Sequence, residues 1–564
     1  PIDFNLGCPN RESDGSGGCT FCNARGSKAV QTLGKDGVEE QMAEAIRFAR
    51  DRYGAKKYMA YIQAFSATFG ERQQPMYLEL LEAFDFAAVS IGTRPDCLTP
   101  QAYDFLVELN KHIEVWVELG VQTVHDRTLD RINRGHNWAS SEQAIKKLHD
   151  LGIKVAAHVI LGLPGETIGD FQQTADTLAA LPIDAVKIHN LHIEKGTTLA
   201  LEHALKPLPV LMEYDFAEHL IDFIRRMPPN IPIMRLTTDT LDEELIAPKW
   251  HMAKGQFKDY VIQQMTCREW LQGDLFTKIK KQMDLSNLKA IETEDGSLTF
   301  WNEDYKEHFH TPAGARLEAK EKYLIPGKLK ERLTKGSVAL LDVCFGLGYN
   351  SLASINTAVH GSDKYQLTVT ALEMDRRVVR AASKNIKIME RDPFDWREAL
   401  SNLYLDSAYH VPNASCCMLW GDARYTITKL RPNSFDLVFL DAFSTQRNSE
   451  LWTVDFFRKL KAVMKPDAAL LTYCAAIPVR SGLMEAGFFV GETIPVGRQR
   501  GGTIATILEQ EIEMPLPDKE LKMIRETTRG LPYRDPYGVW TNKEILRNRQ
   551  ERIIESKQDV TSHQ

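Results

Sequence analysis

The sequence predicts an α/β protein in two parts, a partial β/α barrel followed by a doubly wound parallel sheet. In the first half, apolar β-rich runs alternate with amphipathic helical stretches, which is typical of parallel strands joined by crossover helices. In the second half, a strand leads into a glycine loop, a helix and a further strand that ends in an acid, the order of a Rossmann-like sheet. At 564 residues, the chain exceeds one ordinary domain of roughly 150 residues.

The first part is predicted to span residues 1–267. Chemistry in such barrels lies at the carboxyl ends of the strands, so the residues that follow each strand are candidate site residues. The predicted strands are "YMAYIQAF" (58–65), "AAVSIGT" (87–93), "IEVWVELGVQ" (113–122), "IKVAAHVILGLPGE" (153–166) and "AVKIHNLHI" (185–193).

A polar and charged stretch at 268–295 breaks this pattern and is interpreted as a linker. The second domain is predicted at 296–540, with strands in "VALLDVCFGLGYNS" (338–351), "QLTVTALEMD" (366–375), "FDLVFLDAF" (435–443) and "AALLTYCAA" (468–476). Residues 541–564 form a charged tail without aromatic residues, so we expect a solvated helix or disorder there.

Composition excludes several classes of protein. No apolar run approaches the roughly 20 residues that span a bilayer, so we expect no membrane association and a cytoplasmic location. A net charge of −7 argues against a general nucleic-acid coating protein, although a local basic face can still bind one tRNA. Nine cysteines are too few for a disulfide scaffold of this length.

Three of these cysteines lie close together in "GCPNRESDGSGGCTFCNARG" (7–26). A zinc site would require a fourth ligand, and His112, His125 and His136 lack ligand spacing. Three cysteines without a fourth suit a [4Fe–4S] cluster with one open iron. From the residues alone, the cluster, zinc and unreactive thiols all remain open.

The segment "CPNR…GGCTFCN", with ten residues between its first two cysteines, resembles radical S-adenosylmethionine (SAM) proteins of the YhcC/YtqA type, which are related to the Elp3 tRNA-modifying enzymes. The resemblance implies that Cys8, Cys19 and Cys22 hold a [4Fe–4S] cluster. The open iron would bind SAM, and an electron from a donor such as flavodoxin or ferredoxin would yield a 5′-deoxyadenosyl radical.

Polar residues at three strand ends are the candidate SAM contacts of the first domain. Gln63, Arg94 and Gln122 each follow or end a predicted strand, where such a barrel faces its cofactor. For each of them, hydrogen bonding to loop carbonyl groups is the alternative role.

The second domain carries an ordered series of candidate cofactor residues. Gly346 and Gly348 let a cofactor approach the backbone, Glu373 suits ribose hydroxyl groups, and Asp422 suits the adenine amino group. Asp441 then ends a strand. This order resembles class I SAM-dependent methyltransferases, which implies a second SAM site.

Longer stretches are similar to the methyltransferase domain of MnmC-type enzymes, which act on the tRNA wobble uridine. They are "DYKEHFHTPAGARLEAKEKYL" (304–324), "FGLGYNSL" (345–352), "DAFSTQRNSELWT" (441–453) and "YCAAIPVRSGLMEAGF…GRQRGGTIA" (473–505). Ser444 and Thr445 replace a proline of the usual pattern. We expect Asp441 to orient the substrate amine and accept its proton; capping the next turn is the alternative.

MnmC methyltransferases are commonly joined to an FAD oxidase, whereas here the radical SAM barrel occupies the fused position. The resulting hypothesis is a bifunctional enzyme of the wobble uridine. Its barrel would convert 5-carboxymethylaminomethyl(-2-thio)uridine to the 5-aminomethyl form, and its second domain would methylate that amine. The alternatives are a radical reaction at another RNA position or side chain, and a tRNA-binding module whose cluster is not catalytic.

Overall fold

The computed structural model describes residues 2–3, 8–11, 17–23, 26, 37–63, 74–238, 240–277, 290–361, 364–389, 392–495 and 501–562. The chain divides into two compact units. One comprises Pro1–Ile262 and Trp270–Lys281, and the other comprises Gln263–Glu269 and Gln282–Gln564. This division does not test the domain limits expected at residues 267, 295 and 540, which remain predictions.

A parallel sheet with the strand order β1-β2-β3-β4-β5-β7 organises the first unit. Strands β6 and β8 form a separate antiparallel pair. The strands are β1 Met59–Ile62, β2 Ala88–Thr93, β3 Glu114–Gln122, β4 Lys154–Leu161, β5 Ala185–Asn190, β6 Ile193–Glu194, β7 Ile233–Arg235 and β8 Leu245–Ala247. The expected barrel-type sheet of parallel strands is therefore confirmed, and its open order makes it a partial barrel.

Helices connect these strands, and their starts follow local sequence signals. Thr99 caps α3 with Pro100 at the first helical position, and Thr167 and Asp170 form a capping box on α6, which satisfies amide groups without helical partners. The helices are α1 Val38–Tyr53, α2 Gln74–Ala83, α3 Pro100–Asn110, α4 Asp126–Arg131, α5 Trp138–Asp150, α6 Ile168–Ala179, α7 Thr198–Leu205, α8 Glu213–Arg226, α9 Lys254–Cys267 and α10 Asp274–Thr277.

Two predicted strands of the first unit extend too far. Strand β4 ends at Leu161, and "GLPGE" forms a turn in which Gly162 and Gly165 have φ values of 91° and 86°. Such backbone conformations do not continue a strand. Similarly, β5 ends at Asn190 and β6 begins separately at Ile193.

The second unit contains a doubly wound sheet with the order β14-β15-β13-β12-β16-β17-β19-β18. Its central strands are parallel, whereas β14, β18 and β19 run antiparallel to their neighbours. A small sheet of order β11-β10-β9 precedes it. The strands are β9 Ala290–Glu292, β10 Leu298–Asn302, β11 Glu307–His308, β12 Val338–Val343, β13 Leu367–Glu373, β14 Ala408–Val411, β15 Ala414–Trp420, β16 Phe435–Leu440, β17 Met464–Thr472, β18 Phe489–Glu492 and β19 Thr503–Thr506.

Helices of the second unit pack on this sheet, and the Rossmann-like expectation is confirmed. They are α11 Ala315–Glu318, α12 Leu329–Lys335, α13 Tyr349–Val359, α14 Arg376–Asn385, α15 Trp396–Asp406, α16 Ala423–Thr426, α17 Val454–Val463, α18 Ile477–Glu485, α19 Asp518–Glu526 and α20 Asn542–Ser562. Helix α20 covers most of the predicted tail and is not fully solvated, because Ile545 is fully buried.

Apolar side chains of the central strands form the cores of both units. Val117, Val155 and Val186 in the first unit, and Leu340 and Val438 in the second, are fully buried. Each such side chain stabilises the fold by about 1.5–3 kcal/mol relative to an exposed one. These cores hold the strands in register, so that the carboxyl ends of adjacent parallel strands lie side by side.

Candidate functional site

The cysteine loop of the first unit is held by the segment that follows α4. Thr20 donates its amide N–H to the Ile132 carbonyl at 3.0 Å, and Asn133 Nδ2 donates to the Gly18 carbonyl at 2.8 Å. Cys22 N–H closes a tight turn on the Cys19 carbonyl at 3.0 Å. Residues 12–16 and 24–25 of the loop lie outside the described chain. The backbone around Cys19 and Cys22 is thus fixed by residues more than 100 positions away.

Nitrogen donors surround two of the three thiols. Arg134 Nη1 lies 3.4 Å from Cys19 Sγ, and Arg11 Nη2 lies 3.3 Å from Cys22 Sγ. Burial raises the pKa of Cys22 and Arg11 opposes this, while the neighbouring Cys19 and Cys8 raise it further. The three cysteines are therefore electrostatic neighbours, and arginine N–H groups contact two of their sulfur atoms.

Two of the predicted SAM contacts lie beside this loop. Arg94 is buried directly after β2 and donates to both oxygens of Asp96, at 2.9 and 2.7 Å. Burial lowers the pKa of Arg94, but Asp96 and the thiols of Cys19 and Cys8 raise it overall. Gln122 ends β3, and its amide and the Arg134 guanidinium both lie within 3.0 Å of the position that a Cβ on Gly120 would occupy.

Gln63 is less clearly connected to the site. It follows β1, and its backbone N–H donates to the Ile2 carbonyl at 3.0 Å. The structure thus brings Arg94 and Gln122 to the cysteine loop, whereas Gln63 is placed only at the end of its strand. For all three, SAM contact remains a prediction.

The glycine loop of the second unit joins β12 to α13. Gly346 and Gly348 have φ values of 54° and 86°, and a Cβ on Gly348 would lie 2.6 Å from the Phe345 ring. Gly346 N–H donates to Glu373 Oε2 at 2.8 Å. Burial raises the pKa of Glu373 to about 7, although backbone N–H groups oppose this. In this structure, Glu373 ties the glycine loop to the end of β13.

Asp422 forms an ion pair at the start of α16. Its carboxylate accepts from Arg424 N–H at 2.8 Å and from Arg424 Nη2 at 2.8 Å. Burial raises the pKa of Asp422, but the charge and hydrogen bonds of Arg424 bring it below its usual value. Asp422 is thus ionised and positioned at the end of β15, while its contact with adenine remains a prediction.

Asp441 follows β16 and is half-buried among polar side chains. Asn350 Nδ2 donates to Asp441 Oδ2 at 2.8 Å, and His310 and Tyr323 are electrostatic neighbours. Burial raises the pKa of Asp441, and His310 lowers it in part. A buried carboxyl with a raised pKa is suited to accept a proton.

Aromatic rings lie next to these polar side chains. The Tyr305 and Phe443 rings stack at 4.5 Å with an interplanar angle of 21°, and Phe309 lies 5.0 Å from Phe443. A Cβ on Gly346 would be 3.4 Å from the Phe309 ring. The glycine loop therefore adjoins an aromatic surface that could contact a planar base.

Sequence comparison identifies both units. Residues 4–178 match the radical SAM superfamily, residues 183–266 match a radical SAM C-terminal domain, and residues 395–507 match an S-adenosyl-L-methionine-dependent methyltransferase family. The Bacillus subtilis protein YtqA, itself uncharacterised, is 34% identical over 287 residues, which cover 50% of this chain and 89% of YtqA. The chain belongs to the YtqA-type radical SAM family. It is an enzyme, in which a methyltransferase unit follows the radical SAM unit.

Further similarities concern the second unit of this radical SAM enzyme. The tRNA 5-methylaminomethyl-2-thiouridine biosynthesis bifunctional protein MnmC of Methylibium petroleiphilum is 28% identical over 222 residues, 38% of this chain and 34% of that protein. The crystal structure of MnmC2 from Aquifex aeolicus covers 54% of this chain and 93% of its own, with 25% identity and a TM-score of 0.41. The predicted fusion is confirmed.

The residues of the radical SAM unit are chemically suited to a [4Fe–4S] cluster. Three thiols lie near one another, and arginine N–H groups point at two of the sulfur atoms, an arrangement that stabilises thiolate ligands. Among the described residues, no group of three His, Cys, Asp or Glu side chains has the arrangement of a metal site. The ligand roles of Cys8, Cys19 and Cys22 therefore remain predictions.

Several neighbours of these sites were not predicted from the sequence. Asn10 and Arg134 contact the Cys19 sulfur, and Arg11 contacts the Cys22 sulfur. Asn350 and His310 are neighbours of Asp441. The basic "RINRGH" segment after β3 was a signal for Arg134. The other contacts depend on tertiary packing alone.

No helix in the described part of the chain has the length and apolar character that crossing a membrane requires.

Proposed function

We propose that this enzyme modifies the wobble uridine of tRNA in two steps. The radical SAM unit converts 5-carboxymethylaminomethyl(-2-thio)uridine to 5-aminomethyl(-2-thio)uridine, and the methyltransferase unit methylates the new amine. The supporting observation is the fusion itself. One chain joins a YtqA-type cysteine loop to a unit similar to MnmC, a protein of 5-methylaminomethyl-2-thiouridine biosynthesis. The same proposal places the enzyme with tRNA in the cytoplasm.

In the first step, the chain binds and orients the cofactors. Cys8, Cys19 and Cys22 would hold the cluster, and Arg94 and Gln122 would contact SAM. When bound and reduced by flavodoxin or ferredoxin, these cofactors supply a 5′-deoxyadenosyl radical that takes hydrogen from the substrate. Removal of the carboxymethyl group as an aldehyde acid is a two-electron oxidation. One electron would leave with the hydrogen atom that the radical takes, the second would return to the [4Fe–4S] cluster, and water would supply the oxygen atom.

In the second step, the chain must present a neutral amine. An aliphatic ammonium has no free lone pair, so its proton must leave before the nitrogen attacks the methyl carbon of SAM. Asp441 can accept that proton at its carboxylate, because burial raises its pKa. Asn350 holds the carboxylate in place through its 2.8 Å hydrogen bond, and the stacked Tyr305 and Phe443 offer a surface for the uracil ring.

Anaerobic reconstitution tests the proposal. The protein is loaded with iron and sulfide and incubated with SAM, reductant and tRNA that carries the carboxymethylaminomethyl group; nucleosides and 5′-deoxyadenosine are then measured by mass spectrometry. We expect 5-methylaminomethyluridine and one 5′-deoxyadenosine per conversion. Cys22→Ala should abolish the first step and leave methylation of aminomethyl-tRNA intact. Cys417→Ala, which changes an exposed cysteine of the second unit, is the matched control.

Two results would contradict the proposal. Absence of 5′-deoxyadenosine with every tRNA tested would indicate a cluster-bearing tRNA-binding module. Formation of 5′-deoxyadenosine with unchanged wobble uridines would indicate a reaction at another RNA position or side chain.

A further inference from the structure

Polar side chains from several strands of the radical SAM unit share one face of the sheet. Strand register pairs His158 with Lys187 and Lys187 with Arg235, and residues paired in register project to the same side. His189 lies two positions after Lys187 and therefore shares this face. We name Tyr61, Glu118, His158, Lys187, His189 and Arg235 the polar cluster.

Glu118 is already neutralised within the polar cluster. Its carboxylate accepts from Ser90 Oγ at 2.9 Å, from His158 Nε2 at 2.8 Å and from Lys187 Nζ. Burial alone would raise its pKa, but His158 and Lys187 bring the pKa of Glu118 well below its usual range. Because an ionised carboxylate only accepts hydrogen bonds, His158 must carry its proton on Nε2.

A positive charge remains after Glu118 and Lys187 are paired. Among the described residues, the half-exposed Arg235 guanidinium has no hydrogen-bond or ion-pair partner, and His189 Nε2 is buried without one. Burial lowers the pKa of His189 well below its usual value, and the charges of His158, Arg235 and Lys187 lower it further. The polar cluster therefore contains two basic side chains, Lys187 and Arg235, and one carboxylate, and among the described residues only Lys187 of the two basic groups pairs with that carboxylate.

We propose that the polar cluster is a carboxylate-binding site, in which Arg235 and His189 hold the carboxylate of the tRNA carboxymethylaminomethyl group. This inference rests on the proposed function of the radical SAM unit. An arginine fork matches a carboxylate with two parallel hydrogen bonds, and the bound anion would balance the excess positive charge. The site would then select uridines that carry the carboxymethyl group, because an uncharged substituent on the uridine would leave Arg235 unpaired. SAM also carries a carboxylate, which is the other candidate occupant of this site.

Binding measurements with two tRNAs test this site without requiring turnover. One tRNA carries the carboxymethylaminomethyl group and the other carries its uncharged carboxamide. We expect the wild-type holoenzyme to bind the carboxylate form about 10- to 100-fold more tightly, the range of a hydrogen-bonded charge pair. Arg235→Gln should remove this preference, and Arg235→Lys should restore part of it. Arg226→Gln, which changes an arginine of α8 that pairs with Asp176 and Asp222, is the matched control.

SAM affinity and turnover separate the outcomes. If Arg235→Gln weakens SAM binding and leaves the tRNA preference unchanged, the site holds the SAM carboxylate and our assignment is wrong. Equal binding of both tRNAs by the wild-type protein also overturns it. If the wild-type protein prefers the carboxylate form but converts neither tRNA, the carboxylate site stands and the proposed reaction fails. His189→Phe keeps the ring, removes the nitrogen donors and should weaken the same preference.

Discussion

Arg134 and Asp441 show how a single side chain acquires its role from its surroundings. Arg134 reaches across 115 residues of sequence to lie 3.4 Å from Cys19 Sγ, where its charge stabilises a thiolate. Asp441 is half-buried beside Asn350, His310 and Tyr323; desolvation raises its pKa, and these three neighbours oppose the rise. In each case, the residue type is ordinary and its neighbours determine its chemistry.

At this scale, Asp441→Asn should abolish most methyl transfer. The amide cannot take the ammonium proton, so we expect the methylation rate to fall by about 10²- to 10⁴-fold and aminomethyl-tRNA to accumulate. The rate is measured as methyl incorporation from labelled SAM into aminomethyl-tRNA. Asp436→Asn, at the opposite end of the same strand and paired with Lys465 at 2.8 Å, should keep the wild-type rate. Equal rates for Asp441→Asn and the wild type would assign Asp441 to turn capping instead.

At the scale of elements, the turn after α4 is built for close packing against the cysteine loop. A Cβ on Gly135 would lie 2.5 Å from Asn10 Oδ1 and 2.8 Å from Arg94 Nη2, and its φ is 79°. Gly152 has a similar φ of 72° but no atom within 4 Å of its Cβ position. The two glycines thus share the backbone requirement and differ in the space around them.

We therefore predict that Gly135→Ala lowers cluster loading, whereas Gly152→Ala does not. Both variants bear about 1 kcal/mol of left-handed backbone strain, but only the first displaces Asn10 and Arg94. Iron content per chain after reconstitution is the measurement. Equal iron content in the two variants would show that contact with this turn is unimportant for the loop.

Two carboxyl groups near strand ends of the second unit lead us to predict that its stability depends on pH. Burial raises the pKa values of Asp342 and Glu373 to about 7, so the folded unit retains protons that the unfolded chain has released above pH ~4. The free energy of unfolding should therefore fall as pH rises from about 5 to 7 and then level off. Hydrogen exchange of residues 338–343 in the SAM-free enzyme, corrected for intrinsic rates, measures this change. Asp342→Asn should reduce the slope, and an unchanged slope would contradict the assignment to Asp342.

At the scale of the whole molecule, the chain joins a radical SAM unit to a methyltransferase unit, so the two proposed reactions should be separable. Each unit contains its own candidate residues, the cysteine loop in one and the glycine loop with Asp441 in the other. Under the proposed function the intermediate is a tRNA, which can dissociate, so the intermediate made by one chain could be used by another.

An equimolar mixture of Cys22→Ala and Asp441→Asn chains should therefore form 5-methylaminomethyluridine from carboxymethylaminomethyl-tRNA. We expect a lag while aminomethyl-tRNA accumulates and exchanges between chains. Nucleoside mass spectrometry over time measures both species. If each variant performs its own step alone but the mixture yields no methylated nucleoside, the intermediate does not exchange between chains.

Local patterns in the sequence were enough to predict the fold class, the order of the two units and the candidate residues for each cofactor. Periodicity shows where strands and helices alternate, and the spacing of Cys8, Cys19 and Cys22 and the glycine loop at 346–348 are local signals. The predicted ends of β4 and β5 were wrong, because each strand is followed by apolar residues, in a glycine turn after β4 and in the short break before β6.

Which distant residues become neighbours depends on the tertiary structure. It brought Arg134 to Cys19, tied Glu373 to the glycine loop and placed Arg235 on the same sheet face as Lys187. These contacts depend on strand register and loop packing, which pair residues far apart along the chain. The burial and net charge of a site depend on all of these neighbours together, so they cannot be predicted from a local pattern in the sequence.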